Sequence, residues 1–415
     1  MPLAMRYATR PVIVVFLTAL GLTLGAPINA RAQTLDFNAA ADLDLVLPSN
    51  QRSFQKGGLG KLEFGGGGGN PVISGQGLAD VRAQMAPELG AFMTFRLAPE
   101  HVPLDILEAY ARYQPVSTAS WLLSVKGGAF FPPISLENEA IGWTSPWTLT
   151  SSAVNSWVGQ ELRTIGTEAT VEWRHQTGAI GVVGALFWAN DPAGTVLSDR
   201  GWTFDSRPSG IFGQPRRPDL VASQVLLRAP PVREEPFKEI DQRPGWYLGA
   251  SLRQDGVGRI TGLYYDNQAD PDKFIGGDFG WRTRFTSLGA ELDTGEVVLL
   301  SQAMFGNTTI EPFEDGYFKT NFQSAYLLAG YYFDDFRIAG RLDVYATQPH
   351  NTVGGPAPGE HGYALTLAGT WSPIPRLRLT AELMRLDYER GQRAAIGLSP
   401  HVVELQGRLV ARVLF

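Results

Sequence analysis

The sequence contains no cysteine, only five histidines and six lysines in 415 residues, and beyond its first thirty positions no apolar run long enough for a membrane-spanning helix. Without cysteine the chain can be neither a lipoprotein held by an N-terminal thiol nor a disulfide-stapled secreted domain, so its stability must come from burial or from strand closure. The charge balance is acidic, −6 overall. If Arg6, Arg10 and Arg31 leave with the leading segment, 32 basic face 41 acidic side chains, a balance of −9 that disfavours nucleic acid as a partner.

Scarce histidine limits the chemistry further. His101, His175, His350, His361 and His401 fall mostly in turn-like surroundings, and "SPH" at Ser399–His401 sets a serine and a histidine two apart beside a proline, which reads as a loop edge rather than a catalytic pair. The stretch "GGLGKLEFGGGGG" lacks a phosphate-loop spacing and places Leu62 after Lys61 where Ser or Thr is required, so Gly65–Gly69 reads as flexible loop. Asp266, Asp270, Asp272 and Asp278 crowd one segment without EF-hand spacing; a solvated acidic loop is expected, with a divalent-bridged lipopolysaccharide contact as the sharper reading. No metal centre and no cofactor is expected, and the chain is not read as an enzyme.

Two features at the chain's ends are positive. "MPLAMRYATR" followed by "PVIVVFLTALGLTLGA" and "ARA" predicts a cleaved signal peptide over residues 1–32, with Gln33 as the mature N-terminus. Pro27 and Arg31 close the apolar run before it could serve as a spanning anchor. At the other end, "GRLVARVLF" alternates: Gly407, Leu409, Ala411, Val413 and Phe415 share one face, while Gln406, Arg408, Val410, Arg412 and Leu414 share the other. Successive side chains of an extended strand point to opposite sides, so this strand meets apolar surroundings on one face and polar ones on the other.

The same period recurs in "FRIAGRLDVYAT", "LRLTAEL", "WYLGASLR", "LEAYARY" and "LSVKGGA". Tight corners at Asp334-Asp335, Asp293–Gly295, Gln254–Gly256 and Pro373–Pro375 alternate with long Gly/Pro/Asn/Asp segments at about 190–245, 266–282, 306–321 and 348–361. Short turns at one end and long loops at the other predict an all-β fold: a transmembrane antiparallel β-barrel of about sixteen strands, forming one domain over residues 33–415. The strands are expected near 35–46, 60–66, 89–96, 105–113, 119–129, 167–175, 179–188, 246–253, 258–265, 284–292, 296–305, 322–333, 336–347, 362–371, 376–388 and 402–415. A soluble sandwich or β-helix also alternates. It has no need of aromatics gathered at strand ends, as in "GYYFDDF".

Parity assigns the candidate pore-lining residues: Glu108, Arg112, Lys126, Arg253, Arg337, Arg341, Asp343, Arg378, Glu382, Glu404, Arg408 and Arg412. Phe415 is the candidate terminal aromatic at the periplasmic interface. Segment "TSSAVNSWVGQELR" from Thr150 is expected to be a short amphipathic helix in a packed loop, one that would narrow the pore if folded inward.

"LEAYARY", "FFPP", "AYLLAGYYFDDFRIAGRLDVY" and "ALTLAGTWSPIPRLRLTAELMRLDYERG" carry a resemblance. The chain from about Leu89 onward resembles the phosphate-selective-porin-like (O/P-type) superfamily of Gram-negative outer-membrane porins, and within it a sparsely characterised proteobacterial branch. The resemblance implies a sixteen-stranded, trimeric channel with loops folded into the lumen. The lumenal arginine and lysine richness of its phosphate-selective members is not matched by six lysines and an acidic balance.

The expected function is passive diffusion of small hydrophilic solutes or ions through a water-filled barrel in the outer membrane of a Gram-negative bacterium. The alternative is an outer-membrane barrel enzyme or a surface-binding protein using its long loops. Expected partners are outer-membrane lipid and lipopolysaccharide, the barrel-assembly machinery through the C-terminal strand, and the solutes themselves.

Overall fold

The computed structural model describes residues 34–66, 68–115, 118, 120–219, 231–352 and 358–415; the expected signal peptide lies outside the described residues. Sixteen antiparallel strands close into a barrel. They are β1 (Thr34–Leu47), β2 (Val72–Ala86), β3 (Leu89–Leu97), β4 (Leu104–Tyr113), β5 (Trp121–Phe130), β6 (Thr164–His175), β7 (Gly178–Trp188), β8 (Gly245–Gln254), β9 (Gly258–Asp266), β10 (Arg282–Asp293), β11 (Val297–Phe313), β12 (Gly316–Phe333), β13 (Phe336–Asn351), β14 (Glu360–Ile374), β15 (Leu377–Arg390) and β16 (His401–Leu414). Each pairs with its sequence neighbours, and β1 closes on β16 from Ala40↔Leu414 to Leu47↔Gly407. Closure leaves no unpaired edge, which a membrane-spanning sheet requires because the hydrocarbon offers no hydrogen-bonding partner.

The alternation sorts the side chains. On β13, Ile338, Leu342 and Val344 are about half exposed, whereas Arg341 and Asp343 are buried inside. Their cross-strand partners agree: Leu342 faces Leu327 and Leu365, and Asp343 faces Tyr326 and Ala364. The outward apolar face meets lipid. At the short-turn rim, Tyr331, Phe333, Phe336 and Trp371 stack in succession on the outer surface, with centroids 5.4–6.1 Å apart. Phe415, 66% exposed, sits on that rim, where its N–H donates to the Ala39 carbonyl at 2.9 Å.

Three expectations are corrected. Residues 60–66 are not a strand; they form isolated bridges inside the barrel, and the second strand is β2. Its outward positions are Ile73, Gly75, Gly77, Ala79, Val81 and Ala83, so the apolar period is written in small residues and is faint. The segment 306–321 is not a loop but the extension of β11 and β12 around the two-residue turn Glu314-Asp315, and 348–361 shrinks likewise as β13 runs on to Asn351. Both stretches carry polar residues on both faces, as strands do once they rise above the bilayer into water.

The barrel is filled. Its β1–β2 connection (48–71), β5–β6 connection (131–163) and β7–β8 connection (189–244) send buried residues inward. Leu62, Trp157, Trp202 and Phe204 pack on the lumenal residues Phe285, Phe322, Tyr345 and Tyr388. Helix α1 (Ala153–Glu161) is buried on every side, with Trp157 against Trp202, Phe285 and Phe322 at 6.0, 5.4 and 5.1 Å. The expected amphipathic helix is therefore present but has no solvent face. A helix surrounded by protein needs every polar side chain satisfied, and Ser152 caps its start by accepting from Asn155 N. The shorter α2 (Thr195–Arg200) follows in the next connection, with the Glu161 carboxylate accepting from its Val196 and Leu197 N–H groups, both at 2.9 Å.

Candidate functional site

The interior is organised by charged wall residues that bind the inserted connections. Midway along β13, the Arg341 guanidinium is fully buried and donates to Asp343 at 2.8 Å, Glu137 at 3.2 Å, Thr148 Oγ1 at 2.9 Å and the Thr150 carbonyl at 2.8 Å. Asp343 in turn accepts from Ala153 N at 3.1 Å, and Glu137 accepts from Ser152 N at 2.6 Å and Asn155 Nδ2 at 3.0 Å. Both carboxylates thus lie at the N-terminus of α1, where unpaired N–H groups and the helix dipole favour negative charge. Two strands over, on β15, Glu382 accepts from Leu149 N at 2.6 Å and from the Thr150 hydroxyl at 2.6 Å.

Toward the long-loop rim the β1–β2 connection is fixed the same way. Glu404 accepts from the Ser49 hydroxyl at 2.6 Å, Lys61 N at 2.8 Å and the Tyr388 hydroxyl at 2.8 Å. The Lys61 ammonium is fully buried and ion-paired with Glu360, near which Arg390 also lies, 3.6 Å away. Burial pushes the Lys61 ammonium down to about 7, the Glu360 carboxylate opposing the shift.

Toward the short-turn rim, Arg408 pairs with Asp44 at 3.0 Å and Arg412 grips both Asp42 oxygens at 2.7 Å. Arg337 lies over the Trp147 ring at 5.5 Å, and Arg378 lines the same recess. A Cβ on Gly330 would strike the Trp147 indole, so that glycine makes room for the ring. On the opposite wall Lys126 pairs with Glu168 at 3.0 Å and lies over Phe130, while Glu108 accepts from Phe131 N at 3.0 Å. Glu108 follows a bulge between β3 and β4 that turns Leu107 inward beside it. Arg112 is paired in register with Lys126, and Arg253 sits exposed at the short-turn rim, 3.7 Å from Asp255.

Most of the candidate lining residues thus lie on the inward face, where they meet protein rather than water, whereas Arg112 and Arg253 are exposed. Sequence reasoning missed their partners. Asp42 and Asp44 were accessible, since they alternate with Leu43 and Leu45 on β1; Glu137 and Lys61 sit in loops, where no period marks them. The acidic segment is largely ion-paired: Asp266 with Arg282 at 3.2 Å, Asp270 with Arg243 at 2.8 Å and Asp278 with Lys238 at 2.6 Å. Ser399 Oγ donates to the His401 carbonyl at 3.0 Å, and the His401 ring meets Asp387 at 2.8 Å on the outer surface.

No family model matches the chain, and no curated protein matches it. Solved structures do. A loop L8 deletion mutant of OmpT, an outer membrane protein of Vibrio cholerae, superposes with a TM-score of 0.50 at 10% identity over 93% of this chain and 100% of that one. The outer membrane channel DcaP of Acinetobacter baumannii gives 0.50 at 10% identity over 92% and 96%. Salmonella typhi OmpF, in complex with daunomycin, gives 0.50 at 13% identity over 92% and 97%. At such identities the likeness is one of fold, that of outer-membrane barrels.

Proposed function

We propose that the chain is an outer-membrane channel for small hydrophilic solutes or ions, and that its inserted connections make the passage narrow. The observation that carries this reading is the inward wall of charged side chains of both signs, bound to the loops by hydrogen bonds and ion pairs. Such polar contacts can exchange with water, unlike the apolar cluster around Trp157, Trp202 and Phe285 that fills part of the lumen, so the passage would follow the charged wall. A charged wall resembles that of a general channel, whose opposed charges set a transverse field more than they select one ion. DcaP, of the same fold, is described as an outer membrane channel. This supports placing the chain in the outer membrane of a Gram-negative bacterium.

The proposal extends to processing and assembly. Removal of residues 1–32 would leave one barrel domain, and a homotrimer is the proposed assembly because a trimer form of Vibrio cholerae OmpT shares the architecture, with a TM-score of 0.50. The test is flux of graded sugars and amino acids into liposomes holding the purified protein. Entry of the smallest solutes with a steep fall in rate on increasing size is expected. No flux of any solute, with the barrel folded, would overturn the channel reading and favour a surface-binding or enzymatic barrel.

A further inference from the structure

At the long-loop end, the outer surface of three neighbouring strands carries two histidines with two carboxylates between them. His361 of β14, Glu389 of β15 and His401 of β16 stand directly opposite one another in register, all exposed on the outward face. Asp387 shares that face, two residues before Glu389 on β15 and opposite Tyr363. Along β14 the outward residues Trp371, Leu367, Leu365 and Tyr363 lead up to His361, so the row lies just past the lipid-facing band, where water reaches it.

Both rings already turn a nitrogen to the middle strand. His401 Nε2 meets Asp387 Oδ1 at 2.8 Å, and His361 Nε2 lies 3.9 Å from Glu389 Oε2. The other Asp387 oxygen accepts from Arg385 at 3.1 Å and from the Tyr363 hydroxyl at 3.4 Å, which fixes the carboxylate and leaves Oδ1 to the ring. Ligands about 2.1 Å from a tetrahedral ion lie about 3.4 Å from one another, and the two N···O gaps bracket that spacing. Strands about 4.8 Å apart set the two histidines about 10 Å apart across β15, within reach of two imidazoles converging on one ion. Asp387 and Glu389 are about 7 Å apart along the strand. The long, exposed Glu389 side chain closes that step by rotation, with no backbone shift. Arg385 offsets one of the two carboxylates, so the group keeps one negative charge for a cation.

We infer that His361, Asp387, Glu389 and His401 form a binding site for one divalent metal ion of the zinc or copper kind on the outer face of β14–β16. Two imidazole ligands select such ions over Mg²⁺ and Ca²⁺, which take oxygen. Binding displaces the proton between His401 and Asp387. It also secures the end of a strand held on one side only. β16 outreaches β1, pairing with it only from Gly407 onward, so among the described residues His401–Gln406 have β15 alone as strand partner. The ion joins that end of β16 to β14. The site does not depend on whether the barrel conducts.

The test is isothermal titration calorimetry of the full chain, without a polyhistidine tag and folded in detergent, with the chlorides of zinc, calcium and magnesium titrated in turn. Saturable binding of one Zn²⁺ per chain is expected, with no matching heat from Ca²⁺ or Mg²⁺. Loss of even an outer partner of a metal ligand costs about 10–100-fold in affinity, so His361→Ala and His401→Ala should each cost no less. His175→Ala, at the short-turn end of β6, should bind as the wild type does. Zn²⁺ should also slow amide exchange across Val402–Leu405 in the wild type but not in His361→Ala, a readout that scattered surface binding would not move. Should either histidine variant fail to fold, as read by loss of heat-modifiable gel migration, Glu389→Gln keeps the side-chain shape and should still weaken binding. No saturable Zn²⁺ binding, equal binding of Ca²⁺, or binding unchanged in the folded variants would overturn the site.

Discussion

Replacing Arg341 by methionine should release the β5–β6 connection without breaking the barrel. The change deletes four donated bonds, to Asp343, Glu137, Thr148 and Thr150, and leaves two carboxylates in a dry interior. Removing one partner of a buried ion pair costs about 3–5 kcal/mol. Asp343 keeps its bond from Ala153 N and Glu137 keeps those from Ser152 N and Asn155, so the lower figure applies. About 3 kcal/mol shifts the docked-to-undocked ratio of the connection roughly 10²-fold. Hydrogen–deuterium exchange reads this directly: amides of Ala153–Glu161 should lose about two orders of magnitude of protection, while those of β13 and β14 keep theirs. Adding Asp343→Leu removes one stranded charge and should restore part of the loss, a coupling of about 0.5–3 kcal/mol. Unchanged protection of α1 in a folded Arg341→Met barrel would refute the ionic lock.

Further outcomes follow from the same contacts. Leu342→Arg and Leu409→Arg each put a guanidinium into hydrocarbon at a cost of roughly 2–4 kcal/mol and should reduce the heat-modifiable, folded fraction on gels, whereas Arg253→Ala at the rim should fold normally. Asp343→Arg would also fail, since it sets a second guanidinium beside Arg341. For Lys61, burial lowers the docked-state value to about 7 from its ordinary 10.5. The docked form therefore binds fewer protons between those limits, and docking of residues 48–66 should tighten as pH rises from 7 to 10. Proteolytic nicking in that segment should fall over this range in the wild type and lose the dependence in Lys61→Met. Mass spectrometry of membrane-extracted protein should find Gln33 at the N-terminus; retention of residues 1–32 would defeat the signal reading.

The wall was legible because lipid imposes a rule on it. Every second residue of a spanning strand must be apolar, and Leu342, Leu367, Leu383 and Leu409 obey it. Where the outward residues are Gly and Ala, as in β2, the rule holds but its signal fades. The interior was much less legible. A polar lumenal face looks the same in sequence whether it meets water or a loop, so Arg341 and Glu382 read as pore lining when each holds an inserted segment. A signal did exist in the wrong-parity aromatics: Phe285, Phe322, Tyr345 and Tyr388 lie on the inward face, and Trp143, Trp147, Trp157 and Trp202 lie in connections. Rings of that size in loops and on a lumenal face have little reason to be there unless they pack on each other.

Single-channel recording in planar bilayers tests the central claim most directly. A barrel that conducts through a lumen largely filled by its own connections should give discrete steps of small conductance, with a weak cation preference that fades as salt rises, since screening shortens the reach of the acidic loops. Large steps expected of an open lumen of sixteen strands, or no steps at all from folded protein, would contradict it.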